Sequence, residues 1–272
     1  MLETEMRNPK TKNISKASTL EMLRLINAEN EYSVKKVGEA LDDIARAVDM
    51  ITEAIRGGGR LIYVGCGTSG RLALVDASEC PPTYGVDPSV VSAVMAGGLN
   101  AVVTPAEKTE DNEERGRADI LLKNPSEKDV VMGISAAGGA KYVYGAMEEA
   151  KKAGAKLVSL SSNTPSLIGS VADVEICVHT GAEAITGSTR MKAGNAQKMV
   201  LNMITTSVMI KLGKVYENLM VNIRPVNEKL VKRMIYITSE ILGCDENTAK
   251  TALEQNGYDL NAIIAIKERN ND

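Results

Sequence analysis

Phenylalanine and tryptophan are missing from this sequence of 272 residues, and aromatic residues make up only 3% of it. Little is left to stack on nucleic-acid bases. Acidic and basic residues are interspersed for a net charge of −3, so no basic stripe marks a nucleic-acid partner. No apolar run approaches the ~18 residues that a membrane span needs, and the opening Met1-Leu2-Glu3-Thr4-Glu5 does not read as a secretory leader. Histidine occurs once, at His179, and Cys66, Cys80, Cys177 and Cys244 are scattered without a C-x-x-C pair. That pattern argues against zinc and disulfides and for a reducing cytoplasm. A chain this long still buries a sizeable core, as one large domain or one with an appendage.

What is present begins with Gly65-Cys66-Gly67-Thr68-Ser69-Gly70-Arg71, directly after the apolar run Leu61-Ile62-Tyr63-Val64 and before a helical pattern. Strand, small hydroxyl-bearing loop, then helix is an arrangement that holds phosphate. Glycines let the backbone approach, free N–H groups at the helix start face the anion, and Thr68 and Ser69 add hydroxyl donors. No P-loop lysine follows, and the spacing is not the dinucleotide G-x-G-x-x-G. A sugar phosphate is the better expectation. A glycine-rich turn kept for packing alone remains the alternative. Cys66 is read as a small side chain there, with a thiolate favoured by the helix start as the other possibility.

Strand-like runs at Leu61–Val64, Val90–Met95, Val130–Ile134, Lys156–Ser161 and Val174–Val178 alternate with helical patterns near 69–77, 112–123, 141–153 and 190–212. Alternation of this kind predicts an α/β fold, a doubly wound and mostly parallel sheet covered on both faces. Ligands of such sheets lie beyond the carboxyl ends of the strands, which selects the loops 65–71, 76–85 and 135–141. Ahead of the sheet, Val34, Val37, Leu41, Ile44, Val48, Ile51 and Ile55 keep a 3-4 spacing that predicts one long helix, ended by Gly57-Gly58-Gly59. After Pro225 no strand pattern remains, and short helices are expected near 227–242, 246–255 and 259–268. The expected division is an N-terminal helical segment (1–58), the α/β domain (59–225) and a small helical C-terminal module (226–272) faintly like a ubiquitin-associated domain.

Three further stretches carry candidate chemistry. In Asp76-Ala77-Ser78-Glu79-Cys80-Pro81-Pro82, the paired prolines are expected to end the helix and hold Glu79 at a rigid position. Spacing alone leaves open whether Glu79 is a general acid or a solvated helix-end carboxylate. Glu107, Glu110, Asp111, Glu113 and Glu114 cluster before a helix, where the macrodipole by itself accounts for acidic residues. Ser188-Thr189-Arg190-Met191-Lys192 opens the helix expected near 190–212, which carries Met191, Met199, Met203 and Met209, as a second possible anion grip, or as a plain N-cap.

Taken in order, Thr4-Glu5 with Arg7-Asn8-Pro9, Ser18–Met22, Gly67–Leu72, Asp76–Pro82, Thr186–Gly194, and Asn218–Val221 with Asn227–Leu230 closely resemble the N-acetylmuramic acid 6-phosphate etherases. These are relatives of the glucokinase regulatory protein built on the sugar-isomerase (SIS) domain. The resemblance spans essentially the whole chain. It implies a cytoplasmic, homodimeric SIS-type enzyme that needs no metal or nucleotide cofactor. Such an enzyme releases D-lactate from the phosphorylated amino sugar. It implies Glu79 as proton donor to the lactate oxygen and Glu110 as base at C2. It also implies Thr68, Ser69, Arg71, Ser135, Thr189 and Arg190 as substrate-binding residues.

The chain departs from the family after Ile134. Where relatives tend to read Ala-Ala-Ser-Gly-Arg-Thr-Pro-Tyr-Val, it has Ser135-Ala136-Ala137-Gly138-Gly139-Ala140-Lys141-Tyr142-Val143, without the later serine, arginine and threonine. Lys141 is the candidate replacement charge. Two rivals follow: a phosphosugar-binding regulator that does not turn over, and a SIS-type phosphosugar isomerase. Release of lactate separates both from an etherase.

Overall fold

Ser18 starts the first long helix with a capping box: its hydroxyl accepts from the Glu21 N–H while the Glu21 carboxylate accepts from the Ser18 N–H. The computed structural model describes residues 1–104 and 107–269. Helix α1 (Thr19–Gly38) stops short, and α2 (Leu41–Arg56) follows a two-residue break, so the apolar seam expected on one helix is divided between two. At the break the N–H groups of Glu39 and Ala40 turn back to the carbonyls of Lys36 and Val37, tightening the last turn. Val34 and Leu41 flank it exposed, while Val37, Ile44, Val48 and Ile51 are buried. A 3-4 spacing runs on unchanged across such a turn, so periodicity alone does not register it.

The sheet elements alternate as expected: β1 (Leu61–Gly65), α3 (Gly67–Tyr84), β2 (Val91–Met95), α4 (Glu113–Leu121), β3 (Val130–Ile134), α5 (Lys141–Lys152), β4 (Lys156–Ser161), β5 (Val174–Cys177) and α6 (Lys192–Lys211). All five strands are parallel in the order β2-β1-β3-β4-β5. Both β1 and β3 are buried along their whole length, which is the signature of a sheet covered on two faces. Ile62, Val64 and Val131 face Val143, Ala146 and Met147 of α5. Tyr63, pointing the other way, donates its hydroxyl to Asp76 of α3 at 3.0 Å. Asp76 also accepts from Asn202 (2.6 Å) and Thr205 (3.2 Å) on α6, so this part of the Asp76–Pro82 run locks two helices together.

Two compact units form. The first comprises Met1–Ser78 and Ser89–Val208, and so includes the N-terminal helices. The second comprises Glu79–Pro88 and the chain from Met209 onward. It contains the short hairpin β6 (Val215–Tyr216) and β7 (Leu219–Met220), followed by α7 (Glu228–Leu242), α8 (Glu246–Gln255) and α9 (Leu260–Arg269). Val221, Ile223, Met234, Ile237, Leu253 and Ile263 supply its own core. Gly213 ends α6 in a left-handed conformation, with the N–H groups of Gly213 and Lys214 returned to Ile210 and Met209. Among the described residues no helix is long and apolar enough to cross a membrane.

The prolines at 81 and 82 do not end α3, contrary to the expectation from sequence: the helix runs on to Tyr84. Proline's fixed φ suits a helix, and its cost is the absent N–H, so α3 forgoes two bonds. Just past its end, Gly85 donates to the Pro81 carbonyl at 2.9 Å.

Candidate active site

The strand order reverses direction between β1 and β3, whose connections leave toward opposite edges of the sheet. Gly65 and Ile134 pair at the carboxyl ends of these strands, and a cleft of about 260 Å³ opens just beyond them. This is the topological switch point, where doubly wound sheets hold their ligands. Two larger grooves, of about 510 and 530 Å³, lie elsewhere on the first unit but gather no comparable set of hydroxyls beside a helix start.

One wall is the start of α3. Gly65 and Gly70 let strand end and helix meet, since a Cβ on Gly70 would lie 2.7 Å from the Gly65 carbonyl oxygen. The first-turn N–H groups of a helix have no intrahelical partner, and Thr68 and Ser69 stand among them in the cleft lining. Ser69 is buried and donates to Gln197 Oε1 of α6 at 2.9 Å. The opposite wall is the turn after β3. Ser135 is buried there, and its hydroxyl accepts from the Gly138 N–H at 3.1 Å. Ala136, Ala137 and Ala140 complete that side, so it offers no side-chain donor beyond Ser135.

Glu110 supplies the acidic wall. Its carbonyl accepts from the Tyr142 N–H at 2.9 Å, which pins the turn before α4 to the start of α5. The residue as a whole is exposed, yet it lines the cleft, and desolvation first and the charge of Asp111 second push its pKa above the ordinary glutamate value. Cys66 lies beside it. Burial, then the charges of Glu110 and Asp111, push the Cys66 thiol up to about 12, so the helix start does not produce a thiolate there. In the folded protein at pH 7.5 Cys66 is therefore expected to resist iodoacetamide, with alkylation rising as pH climbs toward 12. Peptide mass spectrometry checks this, and rapid labelling at neutral pH contradicts it.

Thr189 lines the cleft from the loop ahead of α6. Neither Ser188 nor Thr189 caps that helix by its side chain. Instead buried Glu183 accepts from the N–H groups of Lys192 and Ala193 at 2.9 and 3.0 Å. With a carboxylate already at the amino end of α6, the N–H groups of Lys192 and Ala193 are not free for a second anion. Lys192 turns inward to pair with Glu29 of α1, and Arg190 is exposed and outside the cleft lining. Arg71 also stays out of the lining. Its guanidinium holds the carbonyls of Ala101 and Val102, both at 2.8 Å. Lys141 opens α5 exposed, and it too does not line the cleft. Glu79 is an exposed residue of α3 within the second unit.

Two cleft residues had no role in the reading from sequence. Glu5 reaches the cleft because its neighbour Thr4 is held by Asn163, whose side chain also bonds the Ala136 carbonyl at 3.2 Å. Gln197 sits on the stripe Gln197, Val200, Leu201, Ile204, all buried. A polar residue on the core face of a helix was the available signal.

Comparison with known proteins places this geometry. Residues 43–151 match the glucokinase regulatory protein N-terminal SIS domain, and residues 108–207 match the SIS domain. Solved phosphoheptose isomerases from Francisella tularensis and Neisseria gonorrhoeae superpose with TM-scores of 0.54 and 0.53 at 16% and 14% identity. The first covers 71% of this chain and 98% of its own, the second 73% and 100%, a likeness of fold. An N-acetylmuramic acid 6-phosphate etherase of Actinobacillus pleuropneumoniae is 49% identical over 263 residues, 97% of this chain and 86% of that protein. Bacillus licheniformis etherase 1 is 46% identical over 271 residues, 100% of this chain and 89% of its own length. Identity at this level, sustained from the N-terminal turns through the C-terminal helices, means that the chain belongs to the N-acetylmuramic acid 6-phosphate etherase family.

Proposed function

We propose that this protein cleaves the D-lactyl ether of N-acetylmuramic acid 6-phosphate, giving N-acetylglucosamine 6-phosphate and D-lactate. Near-half identity over almost the full length of the etherases carries this reading. In the ring-opened sugar the C2 proton is acidic because the aldehyde stabilises the resulting anion. A base removes that proton, and the C3–O bond breaks as an acid delivers a proton to the departing lactate oxygen. Water then adds to the unsaturated aldehyde at C3 and restores the sugar, so the sum is one water consumed and one ether split. The Thr68 hydroxyl and the first-turn N–H groups of α3 are suited to the phosphate, with Ser135 and Thr189 at its flanks; the Ser69 hydroxyl, expected from sequence as a donor, is given to Gln197, which leaves Ser69 its N–H.

Glu110 is assigned as the base. Its raised pKa supports this, since a stronger base matches the proton it must take. Glu79 is assigned as the acid on the family resemblance. Arg71 and Arg190 remain proposed as substrate contacts on the same ground, acting from outside the cleft lining. Four cysteines, all free, suit a cytoplasmic enzyme, and exposed Leu20 and Leu23 on α1 suit a homodimer.

Incubation with N-acetylmuramic acid 6-phosphate and an enzymatic readout of D-lactate tests the activity. Stoichiometric lactate and N-acetylglucosamine 6-phosphate are expected, and binding without lactate would mark a regulator instead. The pH profile follows from Glu110. The base acts only when deprotonated, so kcat/KM falls as pH drops through a pKa above the ordinary 4.5. An acid limb at or below that value would remove Glu110 from the role.

A further inference from the structure

We propose that Gln197 binds the substrate directly, its Nε2 donating to an oxygen of the phosphate group; the proposal rests on the phosphosugar reading above. Gln197 is 1% exposed and lines the cleft. Its Oε1 accepts the Ser69 hydroxyl at 2.9 Å, while its Nε2 is buried with no hydrogen-bond partner. Buried polar groups are almost always paired, and an orphaned amide N–H is costly unless a ligand satisfies it. Beside Ser69 the first turn of α3 presents N–H donors and Thr68 brings a hydroxyl, while Glu5 and Glu110 are the acidic residues of the same lining. Donors converging from a helix start and a buried amide fit an anion with several acceptor oxygens.

The other side of the cleft offers a single side-chain donor, Ser135. Ala136, Ala137 and Ala140 bring no donor, and Lys141 is outside the lining. Gln197 reaches the cleft from α6 instead, held in place by Ser69. The pair thus acts as one unit: Ser69 orients the amide, and the amide presents its N–H to the ligand.

Gln197→Glu is the informative variant, because it keeps an oxygen for Ser69 and replaces only the unpartnered amide nitrogen. Calorimetry at pH 8 with N-acetylglucosamine 6-phosphate, the expected product, should show its Kd raised by at least roughly 10- to 100-fold. Binding of N-acetylglucosamine without phosphate should be unchanged. Gln197→Met, which removes the orphaned donor without adding charge, is expected to fold and to weaken the phosphosugar about tenfold. It serves if the glutamate variant does not fold. A phosphosugar Kd within threefold of wild type in whichever variant folds overturns the proposal, as does an equal loss for the sugar without phosphate. None of these arms requires turnover. Wild-type protein that binds the phosphosugar through Gln197 and releases no lactate upholds this assignment while refuting the etherase activity.

Discussion

Glu110→Gln should lower turnover of N-acetylmuramic acid 6-phosphate by roughly 10²- to 10⁴-fold and leave phosphosugar binding within a few-fold of wild type. Glutamine keeps the size and the hydrogen-bonding reach of the side chain but cannot take a proton. Loss should therefore appear in kcat, with KM nearly constant, because the C2 proton moves only in the transition state. The backbone of Glu110 is fixed by its carbonyl bond to the Tyr142 N–H, so the substitution does not free the turn. Exchange at C2 gives an independent readout. Wild type should wash solvent deuterium into that position during turnover, and the variant should not. Glu79→Gln is expected to suppress lactate release as well, but by failing to protonate the leaving oxygen, so slow C2 exchange should survive in it. Equal exchange in the two variants would contradict the division of roles.

Why the fold could be read from sequence is plain in β1, β3 and the helices between them. Apolar runs of four to six residues followed by glycine turns leave few alternatives to buried parallel strands, and the switch-point cleft follows from their order. Failures share a cause. The Glu39–Ala40 break lies inside an unbroken 3-4 spacing, and Pro81-Pro82 continues a helix because nearby packing, such as Asp76 with Tyr63 and Thr205, already fixes its path. Both are tertiary decisions that local preferences do not encode. The cleft shows the same limit. Thr68 and Ser69 announce themselves by their loop, whereas Glu5 and Gln197 reach it only because distant segments fold back. Lys192 looked like an anion ligand beside Arg190 because a sequence does not reveal that Glu183 occupies the helix start.

Glu29→Ala should destabilise the first unit by about 3–5 kcal/mol. Lys192 and Glu29 are 3% and 5% exposed, and they form a direct ion pair. Removing the carboxylate leaves a buried ammonium with the Tyr32 ring, 5.1 Å from its centroid, and the charge of Glu183 as weaker substitutes. Asn8, which donates to Glu29 at 2.8 Å, loses that partner too, although it keeps the Ala182 carbonyl at 3.1 Å. The guanidinium midpoint measures the effect. Glu29→Leu with Lys192→Met should recover most of it, because two apolar side chains remove both desolvated charges together. If the double variant is as unstable as Glu29→Ala, the pair is not the cause. Activity adds a second consequence. Ser33 donates to the Lys192 carbonyl at 3.0 Å and Thr11 to the Ala184 carbonyl at 2.8 Å, so the N-terminal segment holds the loop that presents Thr189 to the cleft. Loosening that hold should raise KM at temperatures where Glu29→Ala is still folded, which ties the ion pair to substrate binding as well as to stability.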